Sequence, residues 1–77
     1  MNIKEYQEKA SRTCPDLGTE AINLSHMVLG MFSEYSEYLS AIEKNDSVNI
    51  GEEVADIWWY LANYSNLRNY DLEDLWQ

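Results

Sequence analysis

The chain has 77 residues, and its 14 acidic residues against five basic ones give a net charge of −9. This excess of negative charge argues against a surface that binds the phosphate backbone of DNA or RNA. Because 45% of the residues are hydrophobic, the chain is also too apolar for a disordered acidic tail.

No stretch approaches the roughly 20 apolar residues that a membrane span needs. The N-terminus lacks the charged and apolar regions of a signal peptide. Cys14 is the only cysteine, which excludes a disulfide within the chain. We therefore expect a cytoplasmic protein with one domain over residues 1–77 and no membrane partner.

Helix formers and breakers predict two helices in the first half of the chain. The first covers about 3–12 and ends at the segment 14–18, which contains a proline and a glycine. Thr19 is the predicted N-cap of a long second helix over about 20–44.

Two further helices are predicted in the second half. Asn49 and Glu52 have the spacing of a capping box, which predicts a third helix over about 50–66. Asp71 is the predicted cap of a short fourth helix that ends near Trp76. Since no apolar/polar alternation flanks a hairpin turn, the fold class is all-α, a small bundle of about four helices.

Two pairs of acidic residues have the spacing that makes them neighbours on a helix. Glu34 and Glu37 lie on the second predicted helix, and Glu53 and Asp56 lie on the third. Residues three apart present their side chains together, so each pair offers two carboxylates. A single such pair usually belongs to a solvated surface. Two facing helices with axes about 8–10 Å apart could instead point four carboxylates at one another.

The acidic stripe of the second helix is narrow, with the small residues Gly30 and Ala41 on it, which would let a ligand or partner approach. Bulky apolar residues lie beside the stripe: Val28, Phe32, Tyr35, Leu39 and Ile42. Four unpaired carboxylates repel one another, and a hard divalent cation such as Mg²⁺ or Mn²⁺ would relieve that repulsion. The residues alone leave open whether this is a metal site or a solvated or partner-binding acidic face.

The motifs resemble those of a known family. The runs 26–37 and 52–62 are similar to the MazG-like all-α nucleoside triphosphate pyrophosphohydrolases, in particular the short phage-type members. Their pattern of E-x-x-E on one helix and E-x-x-D on the next is met by both acidic pairs, and the resemblance covers about residues 5–64. An upstream lead-in typical of the group is also present: Tyr6, Ala10, Arg12 and Thr13.

The resemblance implies cleavage of a nucleotide between its α- and β-phosphates, with a nucleoside monophosphate and pyrophosphate as products. It implies that Glu34, Glu37, Glu53 and Asp56 hold Mg²⁺ (or Mn²⁺). Glu37 or Glu53 would then take a proton from the attacking water as the catalytic base.

Four further residues are predicted to bind the nucleotide. Lys44 lies on the acidic stripe and is the first candidate for a phosphate contact. His26 matches a family position, which suggests a contact to the base or sugar. Tyr60 and Asn63 are candidates because they share the helical stripe of Asp56.

Two features depart from the family pattern. Ser36 stands where the family usually has glycine between the first two acids, and no basic residue follows Arg68. Phage-type members commonly have a basic phosphate-binding segment in that place. The alternative interpretation is therefore a catalytically degenerate member that acts as a nucleotide-binding or acidic protein-interaction module.

Consecutive aromatic residues on the third helix predict self-association. Residues on a helix are turned by about 100° from one to the next, so neighbouring side chains cannot share one core. Trp58 lies with Val54 and Leu61, which we assign to the core. Trp59 lies with Ala62 on a second apolar face, which predicts a homodimer or higher oligomer.

Overall fold

The computed structural model describes residues 1–75, which form four helices and no strand. The helices are α1 (Ile3–Ser11), α2 (Glu20–Glu43), α3 (Ser47–Leu67) and α4 (Leu72–Leu75). The prediction of an all-α fold with about four helices is therefore confirmed. The predicted end of the last helix near Trp76 lies outside the described residues. Within the described part of the chain, none of the helices has the length and apolarity that crossing a bilayer requires.

The start of α2 is the predicted one, whereas α3 starts earlier than predicted. The Thr19 hydroxyl accepts a hydrogen bond from the Ile22 amide at 3.2 Å, as an N-cap does. For α3 the N-cap is Asp46, whose carboxylate accepts from the Asn49 amide at 3.2 Å. The prediction of a capping box at Asn49 is wrong, because Asp46 offers a cap one turn earlier.

A tight turn joins α2 to α3. Asn45 adopts a left-handed conformation, with φ of 54°. Its amide donates to the Ile42 carbonyl at 3.0 Å, and the Asp46 amide donates to the Ala41 carbonyl at 3.0 Å. This pair of bonds is the Schellman motif that ends many helices. Asp46 therefore closes α2 and caps α3, so the two long helices run antiparallel as a hairpin.

The hairpin helices approach closely where α2 has no side chain. The ring of Tyr60 on α3 lies so near Gly30 that a Cβ atom there would overlap with it. Met27 is fully buried on the same helix, and Ala41 is buried near its end. This close approach brings the acidic stripes of α2 and α3 together.

A small core joins α1, α3 and α4. Its buried residues are Ala10, Ala62 and Leu72, and Trp59 packs against them. The indole nitrogen of Trp59 donates to the Thr13 hydroxyl at 2.8 Å, which holds this ring to the end of α1.

The core predicted around Trp58 and Val54 is wrong. Trp59 packs against the core, whereas Trp58 is 37% exposed and Val54 beside it is exposed as well. The reason is that α1 is held mainly to the face of α3 that carries Ala62 and amide side chains, although Tyr6 also contacts Trp58. Leu61, the other residue predicted for the core, does pack against it.

Gln7 connects the two ends of the chain. Its side-chain amide donates to Asn66 Oδ1 at 2.9 Å and to the Tyr70 carbonyl at 2.7 Å. Its side-chain oxygen Oε1 accepts a hydrogen bond from the Leu72 amide at 3.0 Å. Although Gln7 is buried, both of its polar atoms therefore have partners, and α1 is fixed against α3 and α4.

Candidate metal centre

Three carboxylates from the two long helices meet at one point. Glu34 and Glu37 lie one turn apart on α2, and Glu53 faces them from α3. One carboxylate oxygen from each lies within 4.8 Å of the other two. Glu34 and Glu53 are half-buried between the helices, while Glu37 is exposed at the edge.

The crowding of negative charge changes the protonation of Glu34. Its pKa rises from the ordinary 4.5 to about 8. The largest cause is a hydrogen bond from its protonated carboxyl to Glu53, followed by burial and then by the charges of Glu37, Glu53 and Asp56. At neutral pH, the Glu34 carboxyl is therefore protonated and faces the Glu53 carboxylate.

The buried oxygens of this cluster fit a cation. When both groups are ionised, the Oε2 atoms of Glu34 and Glu53 are buried and have no hydrogen-bond partner. Such unpaired buried oxygens are costly for a folded protein. Oxygen ligands with this much negative charge suit Mg²⁺ or Mn²⁺, so the donor set fits a hard divalent ion.

Asp56 lies close to the three glutamates but outside their tight group. It is exposed on α3, one turn after Glu53. Its negative charge contributes to the raised pKa of Glu34 and of Tyr60, so it belongs to the same electrostatic environment. Its predicted role as a ligand stays a prediction.

A row of aromatic rings borders the cluster. The centroid of the Tyr60 ring lies 5.9 Å from that of His26 and 5.0 Å from that of Trp59, with edge-to-face geometry in both pairs. Burial raises the pKa of the Tyr60 hydroxyl, and the charges of Glu34, Asp56 and Glu37 add to this effect. The Nδ1 atom of His26 is buried without a hydrogen-bond partner. Tyr60 therefore lies beside the carboxylates, with His26 behind it.

The other two residues predicted to bind the nucleotide lie in different surroundings. Asn63 is only 1% exposed, and its amide donates to the carbonyls of Ala10 and Trp59, both at 3.2 Å. It thus holds α1 against α3. Lys44 is the exposed C-cap residue of α2. Their predicted substrate contacts stay predictions.

The family model of the MazG nucleotide pyrophosphohydrolase domain matches residues 23–77, more than half of the chain. The chain belongs to this family. The family that the acidic motifs indicated is thereby confirmed. Comparisons with curated proteins and with solved structures give no significant match.

Both acidic pairs lie inside the matched MazG region, and α1 precedes it. Sequence reasoning nevertheless missed a contribution from α1. Burial raises the pKa of Tyr6, and the charge of Asp56 raises it further. The Tyr6 ring also packs edge-on against Trp58, with centroids 6.5 Å apart. In the sequence, only the lead-in that contains Tyr6 indicated that α1 lies near the acidic pairs.

Proposed function

We propose that this MazG domain is a metal-dependent nucleotide pyrophosphohydrolase. Its substrate would be a ribo- or deoxynucleoside triphosphate, and its products the monophosphate and pyrophosphate. The observation that carries the proposal is the meeting of Glu34, Glu37 and Glu53 within 4.8 Å, inside a domain of this family.

The donor set supports a divalent ion as the cofactor. Glu34, Glu37, Glu53 and Asp56 would hold Mg²⁺ or Mn²⁺. A bound divalent cation supplies Lewis-acid stabilisation of the charge on phosphate oxygens. Because Glu34 carries a proton at neutral pH in the metal-free protein, binding of the cation would release that proton.

The carboxylates also supply the base that hydrolysis needs. Water must lose a proton as it adds to phosphorus, and a carboxylate with a free lone pair can accept it. Glu37 is the exposed member of the cluster, and Glu53 is the member that faces it from α3. We propose Glu37 and Glu53 as the catalytic pair, either of which would accept the proton.

The neighbouring side chains would position the nucleotide. Tyr60 borders the cluster and offers a hydroxyl donor, while His26 supports its ring from behind. Lys44 is proposed to contact phosphate from the end of α2, because a mobile cationic side chain suits a polyphosphate. Asn63 is proposed to act on the substrate only through Trp59 and α1, to which its amide is bonded.

Release of pyrophosphate from a panel of ribo- and deoxynucleoside triphosphates tests the proposal. We expect release with Mg²⁺ or Mn²⁺, and none after chelation. Glu53→Gln should abolish it, while Glu43→Gln, an exposed residue at the end of α2, should leave the rate nearly unchanged.

Two other outcomes would contradict the proposed catalytic activity and indicate a different function. A nucleotide-dependent rise in melting temperature without pyrophosphate release would indicate a nucleotide-binding module. No response to metal or to any nucleotide would favour an acidic protein-interaction module.

We also propose that the chain forms at least a homodimer. Several large apolar side chains are exposed on the single chain, among them Leu29 and Phe32. Such an exposed apolar surface favours self-association. Light scattering at micromolar concentration should give at least twice the chain mass of 9.0 kDa.

A further inference from the structure

We propose that Thr13, just after the end of α1, is a positioning residue for the candidate metal centre and acts on it through Trp59 and Tyr60. The inference rests on the proposed function, in which Tyr60 contacts the nucleotide. Thr13 lies before the matched MazG region, which begins at residue 23. The centre would therefore depend on a side chain outside the matched domain.

Tyr60 lies in the seam between the two long helices, next to the carboxylates. On α2, its ring lies against Gly30, one turn before Glu34. On α3, it lies two turns after Glu53 on the same face of the helix. Burial and the negative charges of nearby carboxylates raise the pKa of the Tyr60 hydroxyl, so this group stays protonated and can donate a hydrogen bond. The direction of the ring decides where that donor meets a substrate bound at the carboxylates.

Two neighbouring rings fix the direction of the Tyr60 ring. The indole ring of Trp59 meets it edge-to-face with centroids 5.0 Å apart, and the imidazole ring of His26 meets it in the same way at 5.9 Å. Aromatic pairs prefer such a geometry over other arrangements at this distance. A rotation of the Trp59 indole would therefore displace the Tyr60 ring.

The indole of Trp59 is in turn held by Thr13. Its Nε1–H donates a hydrogen bond to Thr13 Oγ1 at 2.8 Å. The Thr13 hydroxyl donates onward to the Ala10 carbonyl at 3.3 Å, and the Asn63 side-chain amide donates to the same carbonyl at 3.2 Å. The hydroxyl thus has its hydrogen directed at α1 and a lone pair directed at the indole. Its orientation is set by the backbone of α1.

This hydrogen bond can be removed without disturbing the core. Thr13 is exposed, whereas Trp59 is half-buried and packs against the core. Valine has nearly the shape of threonine, so Thr13→Val removes the acceptor and opens no cavity. The indole N–H can then bond to water, and the ring loses the contact that fixes its rotation. The substitution therefore tests the orientation of the rings and not the folding of the chain.

Nuclear magnetic resonance tests the geometry in the metal-free protein, without a catalytic assay. Thr13→Val should move the signals of the Trp59 indole N–H and of the Tyr60 ring protons. Thr13→Ser keeps the acceptor and should leave both signals near their wild-type positions. Ser11→Ala is the matched control, because the exposed Ser11 hydroxyl donates to the Glu8 carbonyl within α1. Tyr60 signals that are the same in Thr13→Val as in the wild type would overturn the inference.

A double-mutant cycle tests the consequence for hydrolysis. Thr13→Val alone should lower kcat/KM for pyrophosphate release about three- to ten-fold, because a displaced donor loses a hydrogen bond to the substrate. Tyr60→Phe keeps the ring and lacks the hydroxyl, so in this background Thr13→Val should change kcat/KM by less than about two-fold. If Thr13 only supported the fold, it would lower the rate by the same factor in both backgrounds. That result would overturn the inference.

Trp59→Phe removes the same hydrogen bond from the other side. Combined with Thr13→Val, it should lower kcat/KM no further than Trp59→Phe alone, and an additional loss would mean that Thr13 does not act through the indole. The absence of pyrophosphate release from the wild-type protein would contradict the proposed function itself. The resonance measurement would still decide whether Thr13 positions Tyr60, so the two failures are distinguishable.

Discussion

At the scale of single residues, the central feature is the protonated carboxyl of Glu34 beside Glu53. Glu34 has a pKa of about 8 because it can donate a hydrogen bond to Glu53 and because its surroundings are half-buried and negative. Glu37, from α2, and Glu53 and Asp56, from α3, supply the negative charges, and the Tyr60 hydroxyl lies near them. A divalent cation bound at the proposed site would therefore compete with this proton for the same oxygens.

The metal-free protein should lose stability as pH rises. The unfolded chain releases the Glu34 proton near pH 4.5, whereas the folded protein keeps it until about pH 8. Between these values the folded state binds more protons, so the free energy of unfolding falls as pH increases and then levels off. Thermal unfolding in chelator across this range measures the effect. Glu34→Gln should flatten the profile, and a slope of unchanged size in that variant would contradict the assignment.

Removal of single charges from the cluster should weaken metal binding while the fold survives. Loss of groups that only support a metal ligand typically costs about 10- to 100-fold in affinity, so loss of a direct ligand should cost at least as much. Glu53→Gln and Asp56→Asn keep the side-chain shape and remove one charge each.

Isothermal titration calorimetry with Mn²⁺ measures the metal affinity of these variants, and circular dichroism checks their helix content. Glu43→Gln is the control, because Glu43 is an exposed acidic residue at the end of α2, outside the cluster. An equal loss of affinity in Glu43→Gln and Glu53→Gln would mean that the ion binds elsewhere.

At the scale of helices, the packing of α2 on α3 depends on Gly30. The Tyr60 ring occupies the space where any other residue would have its Cβ atom. The contact also places the Tyr60 hydroxyl among the carboxylates. The absence of a side chain at Gly30 thus allows both the close approach of the two helices and the position of Tyr60 beside the candidate centre.

Gly30→Ala should destabilise the protein although alanine is the better helix former. Overpacking typically costs about 1–3 kcal/mol, which exceeds the gain of about 1 kcal/mol in helix propensity. Gly51→Ala is a matched control, since an added Cβ there meets nothing within 4 Å, and it should raise the free energy of unfolding. Urea denaturation compares the two variants. If both substitutions stabilised the protein, the Tyr60–Gly30 contact would be refuted.

The helices could be predicted from local signals, but their faces could not all be assigned. Thr19 marks the start of α2 because its cap is a local interaction, and Glu34 and Glu37 are neighbours by helical periodicity. Glu53 meets them because α3 packs against α2. By contrast, Asp46 and Asn49 both suit an N-cap, and only the Schellman turn decides between them.

The tryptophans show a second limit of sequence reasoning. Trp58 and Trp59 lie on two faces that are each apolar enough for a core. Which face is buried depends on where α1 packs, and that is decided by distant contacts such as Trp59 with Thr13. Asn63 shows the same limit. Its helical position matches the acidic stripe, but its side-chain amide donates a hydrogen bond to α1.

At the scale of the whole molecule, the net charge of −9 sets the conditions for stability. Much of the chain repels itself, and the candidate centre concentrates that repulsion at one place. A ligand that binds only the folded state raises stability by mass action. A divalent ion bound at the proposed site would therefore stabilise the fold.

Mg²⁺ or Mn²⁺ should raise the melting temperature. At a concentration of 100 times Kd, the gain is about 2.7 kcal/mol, and each kcal/mol raises the midpoint of a domain this small by about 4–8 °C. Differential scanning calorimetry measures the shift. Sodium chloride at equal ionic strength controls for general screening of the acidic surface. An equal rise with sodium chloride, or a full rise in Glu53→Gln, would contradict specific binding.

The bonds of Gln7 have a consequence for the order of folding events. They join positions separated by 59 to 65 residues, so they form only after most of the chain has been drawn into a closed loop. The α2–α3 hairpin, with its three-residue turn, needs no such closure and should nucleate first. Gln7→Ala should therefore accelerate unfolding several-fold and leave the refolding rate almost unchanged, which stopped-flow fluorescence of the tryptophans can measure. Equal effects on both rates would place the docking of α1 within the transition state.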